Sequence, residues 1–263
     1  MYKLLLFLLM ISLGLMAQNN RVFDDLREPE IGVVEKLDTY ISEDIMVIDE
    51  NKQPVQLLSL IDKPTILNLV YYRCPGICSP IMESLANVVD RTDMTIGVDF
   101  QILTVSFDPT EGTELAQQKR NNYFYLIKRE FDPDGWRFFT ADSASARNLT
   151  DQVGFRYKKV GFDYIHTATI IILSPDGKIT RYLQGVYYLL FDVKMAVIEA
   201  AQGKSGPSIS RVLAYCYSFD PAGQRYVFDI TKIAGTIILF FGVVIFLFLV
   251  IRYRTKKSIP KEA

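Results

Sequence analysis

Histidine occurs once in this chain of 263 residues, at position 166, and cysteine three times, at 74, 78 and 216. Three cysteines are an odd number and cannot all pair with one another. A charge excess is missing as well: 29 Lys and Arg stand against 30 Asp and Glu, for a net −1 at pH 7. No basic patch is strong enough to track a phosphate backbone, which excludes nucleic acid as a partner. Internal repeats and low-complexity tracts are also absent. The length fits one domain with appendages, or two small domains.

Apolar residues, in contrast, are plentiful, at 49% of the chain, and the two ends account for the excess. Residues 1–17, MYKLLLFLLMISLGLMA, combine one lysine, an apolar run and a small residue before Gln18. This is a signal-peptide pattern, with cleavage expected after Ala17 and an uncleaved anchor as the alternative. The run is shorter than the roughly 20 residues a bilayer span needs. No cysteine follows it, so a lipid-modified N-terminus is not expected. Near the other end, Ile233–Ile251 is free of charge for nineteen residues. It reads as a transmembrane helix in contact with lipid, and a buried core helix is the bland alternative. Lys232 alone flanks one side, while Arg252, Arg254, Lys256 and Lys257 flank the other. The positive-inside rule therefore places the basic tail, residues 252–263, in the cytoplasm. The domain before the span is then expected on the extracytoplasmic, periplasmic side, where thiols can oxidise.

Between these ends the chain divides into a flexible polar lead (18–32), a domain (33–203) and a juxtamembrane linker (204–232) that carries Cys216. Ile45–Ile48 and Val55–Leu58 look like a small hairpin. Thr65–Tyr72 (TILNLVYY) is an apolar run of strand formers, as a central buried strand requires. It leads directly into Arg73-Cys74-Pro75-Gly76-Ile77-Cys78. A helix over Ser79–Val89 follows, then a strand (Phe100–Phe107), a helix (Thr113–Arg129), a short strand (Trp136–Thr140) and a helix (Ser143–Val153). Thr167–Leu173 and Lys178–Leu183 form a hairpin through Ser174-Pro175-Asp176-Gly177, and Tyr188–Ala201 closes as a helix. This alternation predicts an α/β layered domain with a mixed sheet flanked by helices, plus the C-terminal transmembrane helix.

Cys74 and Cys78 lie four residues apart at a strand-to-helix junction. If the helix begins near Pro75, one turn brings both sulfurs to one edge. Pro75 suits a first helical position, and the helix start favours thiolates. The pair is then suited to disulfide formation or to binding a soft metal. A lone histidine is more often an ordinary surface or core residue than a ligand. In a thioredoxin-like sheet, however, the loop that enters strand Thr167–Leu173 faces the cysteines. Reductases place a proline there, whereas this chain has Asp163-Tyr164-Ile165-His166-Thr167. Two thiolates and one imidazole suit copper. A structural zinc site would want a fourth protein ligand, for which only the juxtamembrane Cys216 is left. Met82, one turn beyond Cys78, is more readily read as core than as a thioether neighbour. A purely structural disulfide is the bland reading of the cysteine pair.

Over roughly Val33–Gln202 the sequence resembles the Sco/SenC proteins, which help assemble the copper centre of cytochrome c oxidase. The resemblance rests on the strand entering Cys74-Pro75-Gly76-Ile77-Cys78, on Val105-Ser106-Phe107-Asp108-Pro109, and on His166 before Thr167–Gly177. It implies a thioredoxin fold and a copper ion held by Cys74, Cys78 and His166. It also implies a partner, the oxidase subunit that carries the binuclear copper centre. Three features depart from the family pattern: Ser79 intervenes before Pro80, Ile165 rather than Asp precedes His166, and the anchor is C-terminal.

Two functions then compete. One is a copper metallochaperone, a binding module rather than an enzyme. The other is a membrane-anchored thiol–disulfide oxidoreductase that reduces oxidase cysteines through a redox-active Cys74–Cys78 pair. The Thr and Arg that a peroxiredoxin places around its cysteine are not recognisable. A pure reductase has little use for His166, which favours the metallochaperone.

Overall fold

The computed structural model describes residues 30–206, 217–220, 225–228 and 230–257. The expected signal segment, most of the lead, Cys216 and the tail beyond Lys257 lie outside these residues. The chain divides into two compact units, residues 1–206 and 207–263.

In the first unit the strands, in chain order, are β1 (Gly32–Val33), β2 (Met46–Ile48), β3 (Pro54–Gln56), β4 (Thr65–Val70), β5 (Gln101–Ser106), β6 (Trp136–Phe139), β7 (Phe155–Arg156), β8 (Lys158–Val160), β9 (Asp163–Ile165), β10 (Thr169–Leu173) and β11 (Ile179–Gln184). The helices are α1 (Cys78–Arg91), α2 (Thr113–Phe124), α3 (Ser143–Gln152) and α4 (Leu190–Ala201). The central sheet has the order β11-β10-β4-β5-β6. β4, β5 and β6 run parallel, with Leu67 opposite Leu103 and Ile102 opposite Trp136. β10 and β11 are antiparallel to their neighbours. This is the expected mixed, thioredoxin-like sheet.

β4 and β10 are buried along their whole length, which explains why each reads as an apolar run without alternation. The apolar side of α1, with Ile81, Leu85 and Val88, packs into this core. Met82 is 1% exposed there and fills core space, as the sequence reading preferred. The polar groups inside are largely paired with one another. Trp136 donates from Nε1 to Thr104 Oγ1 at 3.0 Å, and Tyr72 donates to the Phe139 carbonyl at 2.7 Å.

Several expected boundaries move, each for a local reason. The first helix begins at Cys78, not near Pro75, so Pro75 is not a first helical residue. The Gly76 amide donates to Cys74 Sγ at 3.4 Å, and Pro75–Ile77 forms a turn. Pro80 lies in the first turn of α1, where an amide has no helical acceptor to lose. The second helix stops at Phe124 rather than Arg129. Asp90, at the far end of α1, accepts the amides of Lys128 at 2.6 Å and Arg129 at 3.1 Å, and this turns the chain away. Residues 155–165, for which the sequence predicts no element, form β7 and the β8–β9 hairpin. Gly161 turns that hairpin at φ +64°.

The second unit contains an antiparallel pair, β12 (Tyr217–Asp220) with β13 (Arg225–Phe228), and the helix α5 (Ile230–Lys257). The side chains described without interruption on α5 run from Ile238 to Val250 and are largely exposed and apolar. Among the described residues no helix is long and apolar enough to cross a membrane.

Candidate metal centre

β4 delivers the chain to the site. After Val70, Tyr71 and Tyr72 continue into the core, and the Cys74 amide donates to the Tyr71 carbonyl at 3.2 Å. That turn places Cys74 just beyond the C-terminal end of the central strand β4, and α1 starts four residues later at Cys78. His166 arrives from the other direction, between β9 and β10. One ligand atom from each of Cys74, Cys78 and His166 lies within 4.8 Å of the other two. Cys78 Sγ is 3.3 Å from His166 Nε2. All three residues named from the sequence are thus brought together, although the helix starts later than expected and carries only Cys78.

Exposure divides the three. Cys74 is 9% exposed, whereas Cys78 and His166 are at 1% and 2%. Cys74 is thus the most accessible residue of the three. Among the described residues both cysteines are free thiols. Hydrogen bonding from Cys78 holds the Cys74 thiol well below the ordinary thiol range, and His166 and the Gly76 amide act in the same direction. Burial pushes the Cys78 thiol up, and the neighbouring Cys74 adds to this. The two thiols are thus pushed in opposite directions, which makes Cys74 the readier thiolate of the pair.

The imidazole is fixed by its surroundings. Nδ1 lies 3.0 Å from the Thr167 carbonyl. A carbonyl can only accept, so Nδ1 carries a proton, and Nε2 is the ring atom that faces the sulfurs and would ligate a metal. Tyr71, Phe107 and Phe155 pack around the ring, with centroids 5.9, 5.4 and 5.6 Å away. On β9, Ile165 and Asp163 point outward and Tyr164 inward. Tyr164 donates to Asp108 Oδ1 at 3.3 Å, and its amide meets the Tyr71 hydroxyl at 3.5 Å. Burial pushes the Tyr164 phenol up to about 12. Asp108, part of the Asp-Pro motif, is thus a buried acid behind the site. In the sequence Asp108 stands out only as part of the family motif, and Glu111 is not marked out at all.

Soft sulfur and borderline nitrogen in a three-donor set fit copper. Among the described residues no fourth Cys, His or carboxylate joins the three, and a closed structural zinc site would need one. Against the SCO1/SenC family model, residues 35–188 match. The chain belongs to the SCO1/SenC family.

Among curated relatives, the chain is 23% identical over 157 residues to the SCO1 protein homolog of Bacillus subtilis (strain 168), covering 58% of this chain and 78% of that one. A solved protein of Aquifex aeolicus VF5, which carries a provisional description as an electron transfer protein, is 32% identical; the match covers 64% of this chain and 96% of that one, at a TM-score of 0.58. ScoI of Arabidopsis thaliana, solved with copper bound, is 17% identical over 60% of this chain and 96% of its own, at a TM-score of 0.51. At that identity the likeness supports the fold. The matched family segment includes Cys74, Cys78 and His166.

Proposed function

We propose that this SCO1/SenC protein is a copper metallochaperone: it binds one copper ion through Cys74, Cys78 and His166 and assists assembly of the copper centre of cytochrome c oxidase. The observation that carries the reading is the convergence of two sulfurs and one imidazole nitrogen within 4.8 Å. Copper is cargo here, taken up as Cu(I) by reduced thiols and passed on by ligand exchange. Cys74, the more exposed of the three residues, is where an acceptor's thiolate would enter. Cys78 and His166 would keep hold of the ion from the buried side until the acceptor supplies its own donors. The partner is the oxidase subunit that carries the binuclear copper centre. A leader at 1–17, a membrane span at 233–251 and a periplasmic location for the domain complete the proposal; they rest on the sequence pattern and on the charge asymmetry around the span.

One observation favours a second activity. The thiolate at Cys74 beside a protonated Cys78 is the arrangement of an attacking and a resolving thiol. Reduction of an oxidase disulfide would begin with the Cys74 thiolate attacking one sulfur of that bond. Cys78 would then displace the mixed disulfide, leaving Cys74–Cys78 oxidised and two thiols on the partner. The two activities separate at His166, which disulfide exchange does not need. Cells carrying His166→Ala are expected to fail in oxidase maturation at limiting copper. Normal maturation in those cells would make the protein a thiol reductase and overturn the metallochaperone reading.

A further inference from the structure

Behind the turn that delivers Cys74 lies a buried carboxylate that the copper reading does not use. Glu111, between β5 and α2, is 5% exposed. Its Oε2 accepts the Tyr72 amide at 2.6 Å and the Ser106 hydroxyl at 2.6 Å, and its Oε1 accepts the Arg73 amide at 2.7 Å. Tyr72 and Arg73 are the two residues immediately before Cys74, so one side chain holds both amides of the turn. The amides can only donate, and the hydroxyl donates here too. A carboxylate, which accepts on both oxygens, fits this site, and a protonated acid would set its own hydrogen against a donor. Among the described residues no Lys or Arg forms an ion pair with Glu111. The nearby Arg73 guanidinium instead donates to Thr110 Oγ1 at 3.2 Å. The negative charge is therefore balanced by dipoles alone, in a region from which water is excluded.

We propose that Glu111 is a positioning residue for the copper centre: it clamps the turn that presents Cys74, and its unpaired charge biases the centre toward the more positive copper ion. The inference rests on the copper reading above. Two thiolates and a neutral imidazole around Cu(I) sum to −1, and around Cu(II) to zero. A buried carboxylate close by repels the first assembly and leaves the second nearly unaffected. Glu111 reaches the centre through the backbone: the Arg73 amide it accepts belongs to the residue directly before Cys74.

The test uses the full chain in detergent, with Glu111→Gln and Glu111→Asp as variants. Chelator competition for Cu(I) and Cu(II) reads the charge effect. In Glu111→Gln the ratio of Cu(II) to Cu(I) affinity should fall about tenfold, the order expected of one charge near a site at the effective dielectric of protein interiors. Glu111→Asp keeps the charge and should keep the ratio, while lowering both affinities because its shorter side chain no longer reaches both amides. The second arm uses no metal. Two glutathione thiols deliver two electrons to the Cys74–Cys78 disulfide, giving the Cys78 thiol, the Cys74 thiolate, glutathione disulfide and one released proton. Removing the negative charge stabilises the Cys74 thiolate, so Glu111→Gln should shift this equilibrium toward the reduced pair by about tenfold, and Glu111→Asp should not. Equal losses of both copper affinities in Glu111→Gln, or a glutathione equilibrium equal to wild type, would overturn the inference and leave Glu111 a structural residue. A wild-type protein that takes up no copper would refute the copper reading, and the glutathione arm would still decide the role of Glu111.

Discussion

Replacing His166 with alanine removes one donor of three and leaves both sulfurs in place. The loss has two parts. The ring is 2% exposed and packed among Tyr71, Phe107 and Phe155, so its removal opens a cavity and should lower stability by about 2–4 kcal/mol. A domain built on a five-stranded sheet whose inner strands β10, β4 and β5 are buried throughout is expected to survive that loss and remain folded. Metal binding should suffer more. Removing outer-layer partners of metal ligands already weakens binding about 10–100-fold, so loss of a direct ligand should exceed about 100-fold. Disulfide formation between Cys74 and Cys78 needs only the two sulfurs and should persist. The assay is anaerobic Cu(I) competition on wild type and variant, with thiol counts before and after oxidation and circular dichroism to confirm the fold. Copper affinity within about threefold of wild type in a folded variant, well short of the loss expected for a ligand, would refute the ligand assignment.

Other outcomes follow from the same geometry. The Cys74 thiol is held down to about 3 and Cys78 is pushed up, so alkylation of the metal-free protein should occur first at Cys74. Its rate should stay nearly flat from about pH 5 to 8, where an ordinary thiol accelerates roughly tenfold per unit; mass spectrometry of the labelled peptides reads this. A depressed folded-state pKa also means that this thiolate stabilises the fold fully above the unfolded value and less as pH falls toward 3. Chemical denaturation of Cys74→Ser should therefore show a weaker pH dependence than wild type across that range. At the start of α3, Asp142 accepts the Ser145 amide at 2.7 Å, and Asp142→Ala should cost about 1 kcal/mol in chemical denaturation. A reporter fused after Ala263 should be active only in the cytoplasm; activity only outside would reverse the proposed orientation.

Much of this was legible in the sequence where a residue's neighbours along the chain decide its fate. β4 and β10 announce themselves as apolar runs because both of their faces are covered. The order strand–cysteines–helix, with His166 entering a later strand, was enough to bring three distant residues to one point. What stayed hidden depends on contacts across the fold. Gly76 turns its amide to Cys74 Sγ, and the helix starts three residues late. Asp90 holds the amide of Lys128, 38 residues away and just past the end of α2. The β8–β9 hairpin has no apolar alternation to reveal it: Lys158, Lys159 and Val160 are all exposed, and Phe162 is 99% exposed at its tip. Glu111 sits in a polar stretch where an acid reads as solvated, and only the three-dimensional approach of β4 makes it a buried clamp.

The central claim is tested most directly by metal content and thiol count on the same sample: the full chain, purified reduced and without oxygen, then loaded with an equal mixture of Cu(I) and zinc. The account predicts one copper per chain and the disappearance of two reactive thiols, Cys74 and Cys78, on loading. Zinc retained in preference to copper, or both thiols still reactive after loading, would contradict it.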